Sequence, residues 1–122
     1  MSLMQSKLVH GAGGFILMGG WAFFANRSYA LPAPLIAAVV QGVLSAVITL
    51  GLKAMIERIF QRSNGWRRFI LPPLAAFAVS VTLLSVVHSL AGTPALLATI
   101  AVPLTVSTLY ACFYTFTLYR HA

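Results

Sequence analysis

The chain has 122 residues, 60% of them hydrophobic and 7% charged, with 8 Lys and Arg against 1 acidic side chain and a formal net charge of +7. An ordinary soluble domain is about 25% charged, and a chain this short has too little interior to hide so much apolar surface, so a water-soluble globule is excluded. One carboxylate, Glu57, and one thiol, Cys112, exclude a carboxylate pair, an internal disulfide and a Cys-rich zinc site. Most catalytic constellations go with them, and neither a metal nor a cofactor is expected.

A helix needs about 20 apolar residues to cross the roughly 30 Å hydrocarbon layer. Four charge-poor runs approach or reach that length, at about 8–25, 35–56, 69–90 and 95–118. Helices are the expected form, because backbone in lipid must bond to itself and no barrel-strand alternation is present. The fold class is therefore an all-α integral membrane protein, one domain over 1–122, with four spans arranged as two short-looped helical hairpins.

The breaks follow in chain order. Asn26-Arg27-Ser28-Tyr29 with Pro32 and Pro34 closes the first pair, the basic segment Glu57 to Arg68 links the halves, and Ala91-Gly92-Thr93-Pro94 makes a tight turn in the second pair. Pro72-Pro73 is expected in the first turns of the third span, where missing amide protons cost little. Lys7, Lys53, Arg58, Arg62, Arg67, Arg68 and Arg120 fall to one side of these spans and only Arg27 to the other. The positive-inside rule then puts both termini in the cytoplasm of a bacterial inner membrane and argues against dual topology. Lys7, the first apolar run and Ser28-Tyr29-Ala30 imitate a signal peptide. The run is too long for one and Arg27 precedes the cleavage site, so a retained first helix is expected.

A shift of about sixty-one residues lays Pro34 to Val39 over Ala95 to Ile100, a faint sign of two related hairpins. Small residues at steps of three and four mark faces where helices approach closely in lipid. These are Ala12 with Gly19 and Gly13 with Gly20 in the first span, and Ala38, Gly42, Ser45 and Thr49 in the second. The third has Ala75, Ala78, Thr82, Ser85 and Ser89, and the fourth Ala98, Ala101, Thr105, Thr108, Cys112 and Thr115. The opposite faces, rich in Leu, Ile, Val and Phe, are expected to meet lipid or other chains. Pro103 is expected to kink the fourth helix. Trp21, Phe23, Phe24, Tyr29, Trp66 and Phe69 lie near the boundaries as anchoring aromatics, and Tyr110, Phe113, Tyr114, Phe116 and Tyr119 crowd one end of the last span.

Gln41 is the most polar side chain deep in a span and must find hydrogen-bond partners. It either ties a neighbouring helix or, with Ser45 and Thr49, lines a substrate path. His88 is either an interfacial hydrogen-bonding residue or a group that handles protons or ligand. Glu57 and Lys53, four apart, can pair on one helix face. Proton-coupled exporters of the small multidrug-resistance type rely on a carboxylate in the first helix, and this first helix has none. Lys53, Arg58, Arg62, Arg67 and Arg68, with Trp66, either set orientation alone or bind anionic lipid head groups. No nucleic-acid module accompanies the positive charge.

Four helices, this length, cytoplasmic termini and a basic central loop resemble the GtrA-like family, which implies movement of polyprenyl-phosphate-linked sugars across bacterial membranes. That family's asparagine-plus-aromatic and basic signature, which follows its second and fourth helices, is echoed here by Tyr119-Arg120-His121 alone, and no site residue is carried over. Two functions follow as expectations. One is a carrier or flippase-like unit for an amphipathic or lipid-linked substrate, with Gln41, Ser45, Thr49 and His88 along a polar cleft. The other is a non-catalytic accessory or scaffold subunit with a dry interior. An enzyme is not expected, since no nucleophile and base have a recognisable spacing. Four short-looped helices enclose little, so a homo-oligomer or a partner membrane protein is expected. Extraction should require detergent; recovery of intact, monodisperse chain from a detergent-free lysate would refute the membrane assignment.

Overall fold

Apolar runs with no alternating pattern satisfy their backbone within helices, and the computed structural model, which describes residues 3–122, has four of them. They are α1 (Leu3–Ala25), α2 (Ala33–Arg62), α3 (Arg67–Leu90) and α4 (Leu96–Arg120). No strand occurs among the described residues. The side chain of Lys7, used above for orientation, lies outside those described.

The helix expected to end near Ile56 runs on to Arg62, and the link between α2 and α3 shrinks to 63–66. Arg, Glu and Gln are good helix formers, and Phe60 extends the buried row Ile48, Leu52, Ile56 at steps of four. The helix stops where the Ser63 amide and hydroxyl turn back onto the carbonyls of Phe60 (3.2 Å) and Ile59 (2.7 Å). Gly65 then takes φ 61°, a left-handed conformation that costs glycine little. Pro72 and Pro73 sit in the second turn of α3 rather than its first. They therefore deny the carbonyls of Arg68 and Phe69 their intrahelical donors.

Helix α2 touches each of the other three; α1 also meets α4, α3 meets α4, and α1 and α3 do not approach each other among the described residues. Helix α1 approaches the backbone of α2 closely at Gly19, where an added Cβ would stand 2.9 Å from the Ala38 carbonyl oxygen. Gly42 lies under the ring of Phe15, 2.8 Å from where its Cβ would be. Both glycines were legible as contact positions.

In α3 and α4 different rows are covered. The buried residues are Pro72, Ala76, Ser80, Leu84 and His88 on α3, and Thr99, Pro103, Ser107, Ala111 and Thr115 with Ile100 on α4. Of the small-residue rows expected there, Ala78, Thr82 and Ser89 on α3 and Ala98, Ala101, Thr105 and Cys112 on α4 are exposed. Small side chains make close approach sterically feasible on more than one face. The covered rows are those that also carry His88 and Thr99, whose polar atoms would find no partner in hydrocarbon.

The outcome is inverted relative to a soluble protein. Leu90, Leu97, Phe113 and Ile16 are 84%, 79%, 71% and 70% exposed, while Asn26, Gln41, Ser80, His88 and Thr99 have no exposed surface. Helices α2, α3 and α4 are each long and apolar enough to cross a membrane, and Gly11–Ala25 of α1 is a shorter apolar stretch. Together these mark an integral membrane protein. Gly19→Leu should destabilise the α1–α2 contact by about 1–3 kcal/mol, the usual cost of overpacking. Gly20→Leu, with open space beyond its Cα, should change little, as read by unfolding in mixed detergent and dodecyl sulfate.

Candidate functional site

The end of α3 builds the site from local sequence. Gly92, at φ 74°, lets the chain turn back so that its amide reaches the Ser89 carbonyl (3.1 Å) and the Thr93 amide reaches that of His88 (2.9 Å). These are the paired bonds of a Schellman motif, and Pro94 stops any continuation. The same turn carries the Thr93 side chain onto the imidazole, Oγ1 lying 2.7 Å from His88 Nδ1.

On the other side of the ring, His88 Nε2 lies 2.7 Å from Gln41 Oε1 on α2. A carbonyl oxygen has no hydrogen, so the proton is assigned to Nε2 and the Thr93 hydroxyl donates to Nδ1. The Gln41 amide then donates to Ser45 Oγ, one turn along, at 2.9 Å. Ser45 and Thr93 are 7% and 9% exposed. The cluster ties α2 to α3 and to the turn that follows α3.

A second tie joins α1 to α4 near the same loops. Asn26, just past the end of α1, donates to the Ala22 carbonyl (2.8 Å) and to Thr99 Oγ1 (2.7 Å), and its Oδ1 accepts the amide of Ala95 (2.9 Å). Ala95 is the residue before the first turn of α4 and has no capping side chain of its own. Asn26 supplies that cap from another helix. Trp21 Nε1 donates to the Ala98 carbonyl at 2.9 Å.

The opposite ends of the helices carry the charge. Glu57 accepts the Tyr114 hydroxyl at 2.8 Å, and the Tyr114 ring stacks on Tyr110 at 5.7 Å and 12°. The pairing that spacing allows between Glu57 and Lys53 does not form: no ion pair joins them among the described residues. The phenol of the neighbouring helix takes the carboxylate, while Lys53 is exposed. Arg58, Arg62 and Arg67 are also exposed, and Arg68 is half-buried with its guanidinium 4.4 Å from the centre of the Phe60 ring.

The structure thus brings Gln41, Ser45 and His88 together and leaves Thr49 exposed. Two open concavities are apolar. One, of about 210 Å³, is lined by Phe15, Gly19, Phe23 and Val39 among others. The other, about 370 Å³, is lined by Ala78, Val79, Thr82 and Leu83. Neither includes Gln41, Ser45 or His88.

Sequence reasoning missed the roles of Asn26, Thr93 and Thr99. The spacing His88-Ser-Leu-Ala-Gly92-Thr93 was a legible signal, since a left-handed glycine four residues after the histidine folds the threonine back over it. Nothing local pointed from Asn26 to Thr99.

No known protein family, curated protein or solved structure matches the chain. The architectural likeness to the GtrA-like family therefore carries no assignment of residues.

Removing one member of the cluster strands another. Gln41→Leu and His88→Leu should each cost about 1–3 kcal/mol, because a buried polar partner is left unsatisfied. The double variant should cost less than the two together, with a coupling of about 1 kcal/mol, as found for hydrogen bonds between membrane helices. Additive losses in a double-mutant cycle would show that the contact has no energetic role.

Proposed function

We propose that this chain is a non-catalytic accessory or scaffold subunit of a bacterial inner-membrane assembly. In this reading α1 is the fourth span, the helices form two hairpins, and both termini lie in the cytoplasm with the link between α2 and α3.

The observation that carries the reading is the saturation of the polar cluster. A carrier needs polar atoms that a substrate can reach, whereas Gln41 and His88 have no exposed surface and spend their hydrogen bonds on each other, Ser45 and Thr93. A scaffold needs only that its polar groups be satisfied internally and that its outside be apolar. The exposed small-residue faces, Ala78 and Thr82 on α3 and Ala98, Ala101 and Thr105 on α4, are where a second copy or another membrane protein would approach closely.

Helix length supports placing the basic end of α2 outside the hydrocarbon layer. α2 has 30 residues, about 45 Å at 1.5 Å per residue, which exceeds a hydrocarbon layer of roughly 30 Å. Its last turns hold Lys53, Arg58 and Arg62, which would then stand among the anionic head groups of the inner leaflet, with Arg67 and Arg68 beside them.

A carrier or flippase-like unit is the second reading, favoured by one observation. Gln41 and His88 meet side chain to side chain between α2 and α3, so an amphipathic or lipid-linked substrate that competed for them would part the two helices.

Two measurements separate the readings. A photo-crosslinking residue at Val79 or Val106 in intact membranes should give one adduct of discrete size if the chain is a scaffold. Liposomes containing the chain should then move a fluorescent phospholipid no faster than protein-free liposomes. A saturable acceleration abolished by Gln41→Leu would overturn the scaffold reading in favour of the carrier.

A further inference from the structure

Five basic side chains crowd the junction of α2 and α3, and charge alone does not distinguish them. Geometry does. Lys53, Arg58, Arg62 and Arg67 are exposed. Arg67 lies loosely over the exposed Trp66, its guanidinium 5.8 Å from the ring.

Arg68 is held differently. Its guanidinium is 4.4 Å from the Phe60 ring, and Phe60 is itself only 4% exposed, at the end of the buried row of α2. A ring fixed by core packing fixes the cation that lies on it, which reduces the entropy lost when that cation binds. None of its nitrogens has a hydrogen-bond or carboxylate partner, and Nε is covered from solvent as well. A covered donor left unpaired costs free energy that an acceptor would recover. The single acidic side chain, Glu57, is taken by Tyr114.

We propose that Arg68 is the ligand that takes the phosphate of an anionic phospholipid head group, with Phe60 as its positioning platform. The proposal deepens, and rests on, the reading that this end of the chain faces an anionic leaflet. A guanidinium offers two parallel N–H donors to two phosphate oxygens, a match that an ammonium group cannot make. The two terminal nitrogens, unpartnered and not covered as Nε is, present that pair without moving the guanidinium. Trp66 and Phe69, 67% and 40% exposed beside it, suit the glycerol and upper acyl region of a lipid, which free phosphate lacks.

The test uses the full chain in detergent micelles, titrated with phosphatidylglycerol, phosphatidylcholine or inorganic phosphate, with bound lipid counted by native mass spectrometry. Wild-type chain should retain phosphatidylglycerol over phosphatidylcholine, and inorganic phosphate at equal concentration should not displace it. Arg68→Lys keeps the charge but loses the fork and should weaken retention by at least about fivefold. Arg62→Lys should stay within about twofold of wild type. Phe60→Leu, checked for helicity by circular dichroism, should behave like Arg68→Lys.

Equal retention by wild type and Arg68→Lys, or equal losses for Arg62→Lys and Arg68→Lys, would overturn the assignment and leave diffuse attraction to the surface. Displacement by inorganic phosphate would overturn it in favour of a soluble anion. No preference of the wild-type chain for phosphatidylglycerol would overturn the underlying reading of the basic end as well.

Discussion

Hydrocarbon offers no hydrogen bonds, and the arrangement of this protein follows from that one fact. A polar side chain inside the helices is stabilised by a partner elsewhere in the chain, and among the described residues only Ser80 Oγ and Arg68 Nε are buried without one. Gln41, His88 and Thr93 answer one another between α2 and α3, and Asn26, Thr99 and the amide of Ala95 do so between α1 and α4. Both ties sit near the loops 26–32 and 91–95. They set the rotation of four helices whose apolar surfaces would otherwise pack against lipid as readily as against each other.

The opposite end is organised by charge rather than by closed hydrogen bonding. Its single carboxylate is held by Tyr114 from α4, so the basic side chains there have no protein anion to pair with among the described residues. The two ends therefore differ in kind: one is saturated within the chain and the other is left open to what surrounds it.

This difference also separates the functional readings. A buried, hydrogen-bonded cluster specifies how helices fit together. Gln41 and His88 are matched to each other, while the buried atoms without a partner among the described residues are Arg68 Nε and Ser80 Oγ. The fold is thus arranged as a fixed body with an apolar exterior and one electrostatically unfinished face.

Residue types alone determined the medium, the helical class, the approximate places of the breaks and the gathering of basic residues at one end, because each depends on local chemistry read along the chain. They also marked Gly19 and Gly42 as contact positions and Gln41 as a group in need of a partner. The identity of that partner, the cross-helix cap that Asn26 gives to α4, the exposure of Thr49 and Cys112, and the choice between two small-residue faces on α3 and α4 were decided only by the tertiary structure. The reason is geometric. A sequence fixes which residues share a face of one helix, but a hydrogen bond between helices depends on their relative rotation and depth, and these are set jointly by all four.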